Sequence, residues 1–215
     1  CFEPALWIDP KGRLWLFWTQ SWMKYDNRDG VWAAICDDPD AETVVFGAPR
    51  RLMNGLMLNK PIVTKKGEWL FPAALWSRSF EKAFEDHPEL RDEELANVYA
   101  SLDAGETFER RGGVDMPERA FDEHCLVELN DGRLWMTVRT TYGIGQAFSS
   151  DGGRTWENIG PSGHTGPNAR FFVRRLKSGR LIMVNHLNPS YQTSPQMWNA
   201  RNNLVAMLSD DDGKT

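Results

Sequence analysis

Carboxylates and guanidinium groups recur in this chain where short apolar runs begin or end. Asp122-Glu123-His124 opens one run, and Arg139 closes the next, sixteen residues after Glu123. Glu3 stands before the first run of the chain, Asn59 and Lys60 before another, and Asn168 and Arg170 before a third; Arg201 precedes the last. A carboxylate beside a guanidinium has two readings. It is a cross-strand ion pair that steadies a hairpin, or a proton acceptor and an anion clamp that face a pocket. Spacing alone leaves both open. The four histidines form no His-x-x-x-His pair, so no metal site is expected. His124 and His186 could meet near the same edge, and a hydrogen-bonded rim role serves them equally well.

The elements that must position these groups are repeated. Ser149-Ser150-Asp151-Gly152-Gly153-Arg154-Thr155-Trp156 follows the pattern Ser-x-Asp-x-Gly-x-Thr-aromatic, with Ser149, Asp151, Gly153 and Trp156 at its key positions. Ser101, Asp103 and Gly105 begin a second copy that ends at Phe108, and Ser209, Asp211 and Gly213 a third that reaches Thr215. A second motif lies upstream of each: a tight glycine turn entering an apolar run, at Gly12, Gly67, Gly132 and Gly179. Each such turn joins two apolar runs, which is the pattern of a β-hairpin. A third strand follows at Val31–Ile35, Val98–Ala100, Gly145–Phe148 and Leu204–Leu208, and the Ser-x-Asp turn leads to a fourth.

Four antiparallel strands repeated every 47 to 65 residues predict an all-β chain, a β-propeller of four-stranded blades. The approximate blades are 1–50, 51–116, 117–162 and 163–215, with only a degenerate turn near Asp38–Thr43 in the first. The box Asp is expected to accept backbone N–H groups within its turn, a structural role. Alternating strand direction then sorts residues by end. The glycine turns and Ser-x-Asp turns share one end. Glu3, Asp122, Glu123, Arg139, Arg170 and Arg201 share the other, with the long loops 20–30, 76–96 and 187–202 that carry Trp22, Trp76 and Trp198. Function on a rigid scaffold concentrates in such loops. The acidic stretch Phe80–Leu95, interrupted by Pro88, reads as a surface helix or a lid.

A net charge of −5 with no Lys/Arg block argues against a nucleic-acid partner. No apolar run is long enough to span a membrane as a helix. Cys1, Cys36 and Cys125 lack metal-ligand spacing and read as small hydrophobes rather than a disulfide framework. Ten tryptophans fit repeated sheet packing better than sugar stacking alone. Cys1 in place of Met, and an end inside a repeat, suggest an internal piece of a longer protein, for which a missing leader is uninformative.

At this point the residues resemble a known family, the sialidase superfamily of six-bladed propellers, whose repeated turn is called the Asp box or BNR repeat. Phe121-Asp122-Glu123-His124, through Val127-Glu128-Leu129-Asn130-Asp131-Gly132-Arg133-Leu134 to Arg139, resembles the bacterial sialidase segment that carries two active-site residues. Arg201, eight residues before the box Ser209, matches another family arginine. Glu3-Pro4-Ala5-Leu6 resembles the start of the family's second blade. The resemblance implies an exo-acting glycoside hydrolase that removes a terminal acidic sugar and needs no cofactor. It implies Glu123 as the catalytic residue that activates a tyrosine nucleophile. Arg139, Arg201, Arg170, Glu3 and Asp122 are implied as substrate-binding. The tyrosine is expected after residue 215, since Tyr25, Tyr99, Tyr142 and Tyr191 do not match its place. The acid/base Asp and a first arginine are expected before residue 1. Arg170 stands where the family usually has a small neutral residue, which implies a different or more acidic sugar. Alternatives are a uronic-acid-directed lyase or hydrolase, and a non-catalytic glycan-binding propeller. The family favours a secreted or periplasmic location.

Overall fold

A computed structural model describes residues 1–21, 28–76, 87–187 and 201–215. It is all-β and folds into four antiparallel sheets stacked in sequence as a four-blade propeller arrangement. The first sheet contains β1 (Phe2–Ile8), β2 (Leu14–Gln20), β3 (Gly30–Cys36) and β4 (Arg50–Asn54). The second contains β5 (Ile62–Val63), β6 (Trp69–Ala74), β7 (Ala96–Ser101) and β8 (Glu109–Val114). The third contains β9 (Arg119–Glu128), β10 (Leu134–Thr140), β11 (Gly143–Ser149) and β12 (Glu157–Pro161). The fourth has three described strands: β13 (Phe172–Arg175), β14 (Leu181–His186) and β15 (Leu204–Ser209). Within each sheet, neighbours in space are neighbours in sequence.

The hairpins form where the glycine turns predict them. In the first, Asp9 Oδ1 accepts the backbone N–H groups of Lys11 and Arg13 at 2.8 and 3.0 Å. The same carboxylate takes the Trp15 indole N–H at 2.9 Å, so the turn and the core are fixed together.

The Ser-x-Asp turns repeat one hydrogen-bond pattern. Ser149 Oγ donates to Asp151 Oδ1 at 2.8 Å and accepts the Gly153 N–H at 2.8 Å. Asp151 then accepts the Thr155 N–H at 2.9 Å. Ser101–Asp103 and Ser209–Asp211 reproduce these contacts. Hydrogen bonds from Thr215, Ser209 and Lys214 hold the Asp211 carboxyl down to about 2; those from the Thr and Ser of their own boxes hold Asp103 and Asp151 well below the usual carboxylate range. Each turn also reaches back to the sheet before it. Arg13 donates to Ala104 O at 2.8 Å and Arg50 to Glu106 O at 3.0 Å. Arg111 donates to Gly152 O at 3.2 Å, and Asp212 accepts the Asn130 N–H at 2.8 Å.

The core lies between sheets. Trp7, Trp15, Phe17, Trp69 and Phe71 pack between the first and second. Leu70, Val98, Leu134, Met136 and Val138 join the second to the third, and Val127, Trp135, Phe171 and Met183 the third to the fourth. All three cysteines are free thiols; Cys36 and Cys125 are buried as expected, whereas Cys1 is exposed. No helix among the described residues is long and apolar enough to cross a membrane. Trp22, Tyr25, Tyr191 and Trp198 lie outside the described residues, as does the acidic stretch up to residue 86. Its described remainder is a 3-10 helix, Pro88–Glu93, not an α-helix. Pro88 starts it, as proline does where no backbone donor is needed.

Candidate functional site

The candidate site begins with an irregularity in β9. Thr137 pairs with Cys125, Arg139 with Asp122, and Thr140 with Arg119. The four residues from Thr137 to Thr140 of β10 therefore oppose the seven from Arg119 to Cys125 of β9, more than a regular ladder allows. The extra ones form bulges, which bend a strand and re-aim its side chains. Phe121, Asp122 and Glu123 take φ values of 60, 50 and 44°. Three consecutive non-glycine residues in the left-handed region cost roughly 1–2 kcal/mol each. Surrounding contacts must offset that.

Several do. The Trp76 indole donates to Phe121 O at 3.0 Å, and the two rings meet edge to face at 5.1 Å. Asn59 Nδ2 donates to Glu123 O at 2.7 Å and to His124 O at 3.1 Å. His124 Nε2 donates to Asn97 O at 2.8 Å. Burial pushes the His124 imidazole down to about 4, so it stays neutral near pH 7. His186 bonds instead to Asn202 O, at the edge of the fourth sheet.

The turn delivers Glu123 to Arg139. Arg139 Nη1 lies 3.0 Å from Glu123 Oε2, with the two side chains 4% and 11% exposed. Arg139 Nε donates to Asn168 Oδ1 at 2.7 Å and Nη2 to Asn168 O at 3.1 Å. Its guanidinium also lies 4.9 Å from the Phe121 ring centroid, a cation–π distance. This buried charge is compensated on several sides.

Asp122 points elsewhere. Its carboxyl is buried, 3.6 Å from Arg119 Nη1, and Oδ1 has no hydrogen-bond partner. Burial lifts it to about 6, against the pull of Arg119. Arg119 in turn donates to Glu94 O, linking the turn to the segment after the 3-10 helix.

Arg170 and Glu3 make a second pair, at 3.2 Å, but with side chains 47% and 40% exposed. Arg170 also donates to Leu58 O, next to Asn59. Arg170 thus touches the first sheet and the segment that joins it to the second, from a position two residues after Asn168. Glu3 has φ 53° and sits at a register shift in β1. Arg201 is exposed, three residues ahead of β15. Its sheet end is the one shared with His186, since Leu204 pairs with His186.

The structure therefore joins Glu123 to Arg139 and Glu3 to Arg170, and links the two pairs through Leu58–Asn59 and Asn168. Sequence reasoning missed Arg119 and Asn97 as supports. Asn97 had a signal, a lone amide inside the apolar run of β7. No metal-holding group of His, Cys, Asp and Glu occurs among the described residues. A cleft of about 480 Å³ opens at the other end of the first strands, lined by Trp7, Pro10, Thr64, Glu128 and Arg175, and none of the residues above faces it.

The model of the BNR repeat-like domain matches residues 1–215. Comparison with curated protein sequences finds no match. Among solved structures, the Hadza microbial sialidase Hz136 is similar at 17% identity and a TM-score of 0.67, over 99% of this chain and 43% of that one. The GH93 α-L-arabinofuranosidase of Fusarium graminearum is similar at 16% identity and 0.55, over 97% and 62%. The leech intramolecular trans-sialidase is similar at 16% identity and 0.52, over 86% and 30%. The chain thus spans less than two thirds of each of these proteins. At such identities the likeness is one of fold, a propeller shared with glycoside hydrolases. Asp boxes, sheet order and the match over the whole chain together place this protein in the BNR repeat-like domain family.

Proposed function

We propose that this chain carries the glutamate–arginine part of the active site of an exo-acting glycoside hydrolase of sialidase type, which removes a terminal acidic sugar from a glycan. The observation that carries the reading is the Glu123–Arg139 pair on its bulged, left-handed turn. A hairpin that needed only an ion pair would not need three consecutive left-handed residues to make it. Strain of this kind concentrates where side chains must be aimed.

In this reading Glu123 takes the proton of a tyrosine supplied from outside residues 1–215. A phenol with a pKa of about 10 is a weak nucleophile at neutral pH without such a base. Tyrosine nucleophiles are a recognised exception among glycosidases. A neutral nucleophile also avoids repelling an anionic sugar. Arg139, Arg201 and Arg170 supply positive charge for the sugar carboxylate, and Glu3 lies against Arg170 at the edge of the site. Asp122 supports the turn from beneath.

Fluorogenic sialosides, glucuronides and arabinofuranosides test the reading on the full-length protein. Turnover of an acidic glycoside is expected, and Glu123→Gln should lower kcat by about 10²–10⁴-fold, the range of a lost general base. Unchanged turnover in that variant would remove Glu123 from the mechanism. An unsaturated product absorbing in the ultraviolet would replace hydrolysis with elimination.

A further inference from the structure

The arginines at this end of the propeller are not equivalent. Arg139 is buried, and Nε, Nη1 and Nη2 all donate within the protein. With its side chain only 4% exposed, it offers a ligand carboxylate little surface unless Glu123 or Asn168 is displaced. Releasing Glu123 would leave a buried carboxylate without its partner, a costly state.

Arg170 has the opposite character. It is held in place by Leu58 O and Glu3 yet is about half exposed. A guanidinium has five N–H donors, and these contacts use Nη1 and Nη2 once each. It is pre-oriented but still hydrated, so a ligand carboxylate can bind it at little desolvation cost. The carboxylate already there belongs to Glu3. That contact is a single 3.2 Å hydrogen bond in an exposed pair, a kind that contributes little to stability. Glu3 can therefore be exchanged for another carboxylate. The connections through Leu58–Asn59 and Asn168 keep Arg170 beside Glu123 and Arg139.

We propose that Arg170, rather than Arg139, first receives the carboxylate of an acidic sugar, and that Glu3 occupies its place in the free protein. Arg139 is then a positioning residue that aims Glu123. The inference rests on the reading above for where the sugar sits, and it names a specificity residue which that reading leaves open. The ligand class is a sugar carboxylate, from a sialic acid or from a hexuronic acid.

Equilibrium binding tests it without any turnover. N-acetylneuraminate, glucuronate and the methyl ester of each are titrated into the full chain by calorimetry. The acids should bind more tightly than their esters by about tenfold or more, as expected for one added charge-assisted hydrogen bond. Comparing the two acids identifies the source of the carboxylate. Glu3→Gln should tighten acid binding by about two- to fivefold and leave the ester unchanged, because it removes only a weak internal competitor. Arg170→Met should abolish the preference for acid over ester. The proposal is overturned if Arg170→Met keeps the preference, if Glu3→Gln weakens acid binding, or if neither acid is preferred to its ester. Arg170-dependent binding with no glycoside turnover would sink the hydrolase reading alone. Turnover of acidic glycosides with an unaltered KM in Arg170→Met would sink this proposal alone.

Discussion

Asp122 and His124 flank Glu123 and are both buried, with opposite consequences for pH. The Asp122 carboxyl, at about 6 in the folded chain, is raised above its unfolded value. Its contribution to stability is full below about pH 4 and is lost as pH rises through 6. His124 is depressed to about 4. Its contribution is present above about pH 6.5 and is lost as pH falls through 4. Between pH 4 and 6 the two slopes oppose each other. Asp122→Asn should therefore leave the histidine contribution alone: stability from urea unfolding would fall steadily from pH 6.5 to 4, approaching a loss of about 3 kcal/mol, against a flatter wild-type profile. A variant profile parallel to wild type would mean that the carboxyl is not buried as described. Arg139 belongs to the same scale. Arg139→Ala leaves Glu123 buried without its partner, so about 3–5 kcal/mol of stability should be lost by chemical denaturation. Arg201→Ala removes an exposed side chain and should change stability by no more than about 0.5 kcal/mol.

The Asp box was the most legible element. Its residues lie within eight positions, and its hydrogen bonds are local, so one stretch of sequence contains the whole motif. Ser149 is the buried hinge of one copy, accepting one N–H and donating to Asp151. Ser149→Ala should cost about 1–2 kcal/mol, read as a lower thermal midpoint with unchanged sugar binding. Loss of binding at unchanged stability would move the box into the site. The hairpins were equally legible, because alternation and glycine turns are also local. The bulges in β9 were not. They require that β9 hold more residues than β10 between paired positions, and that register exists only once both strands are aligned. The expected helix over Phe80–Leu95 failed in its described part for a related reason. Pro88 cannot donate to a preceding turn, and Asn54, Asn97 and Tyr99 hold Glu93 from outside the stretch, so its described part closes as a 3-10 helix.

Across the whole molecule, stability depends on seams between successive sheets. Trp7 and Trp69 meet edge to face at 4.9 Å across the first seam, and Trp15 lies 5.9 Å from Trp69. Gly105 of a box closes against them: with φ +88°, a Cβ there would stand 2.6 Å from the Trp15 ring. Trp69→Ala should cost about 3–5 kcal/mol. Because the seams couple neighbouring sheets, unfolding should stay a single transition followed by tryptophan fluorescence and far-ultraviolet circular dichroism. Separate transitions would show that the first sheet folds independently of the rest.

By itself the sequence determined the all-β class, the hairpins and the Asp boxes, and it led to the expectation that Glu123, Arg139, Arg170 and Arg201 lie at one end of the sheets. These follow from local periodicity and from the alternation of strand direction, which a linear chain records directly. Tertiary structure alone decided which of those groups meet. Glu123 and Arg139 are sixteen residues apart, and their contact depends on a bulge; Glu3 and Arg170 are 167 apart, and theirs depends on the stacking of sheets. Exposure was also decided there. It separates a buried guanidinium, held by Glu123 and Asn168, from one that is anchored and about half exposed, a distinction set by the neighbours that the fold brings to each.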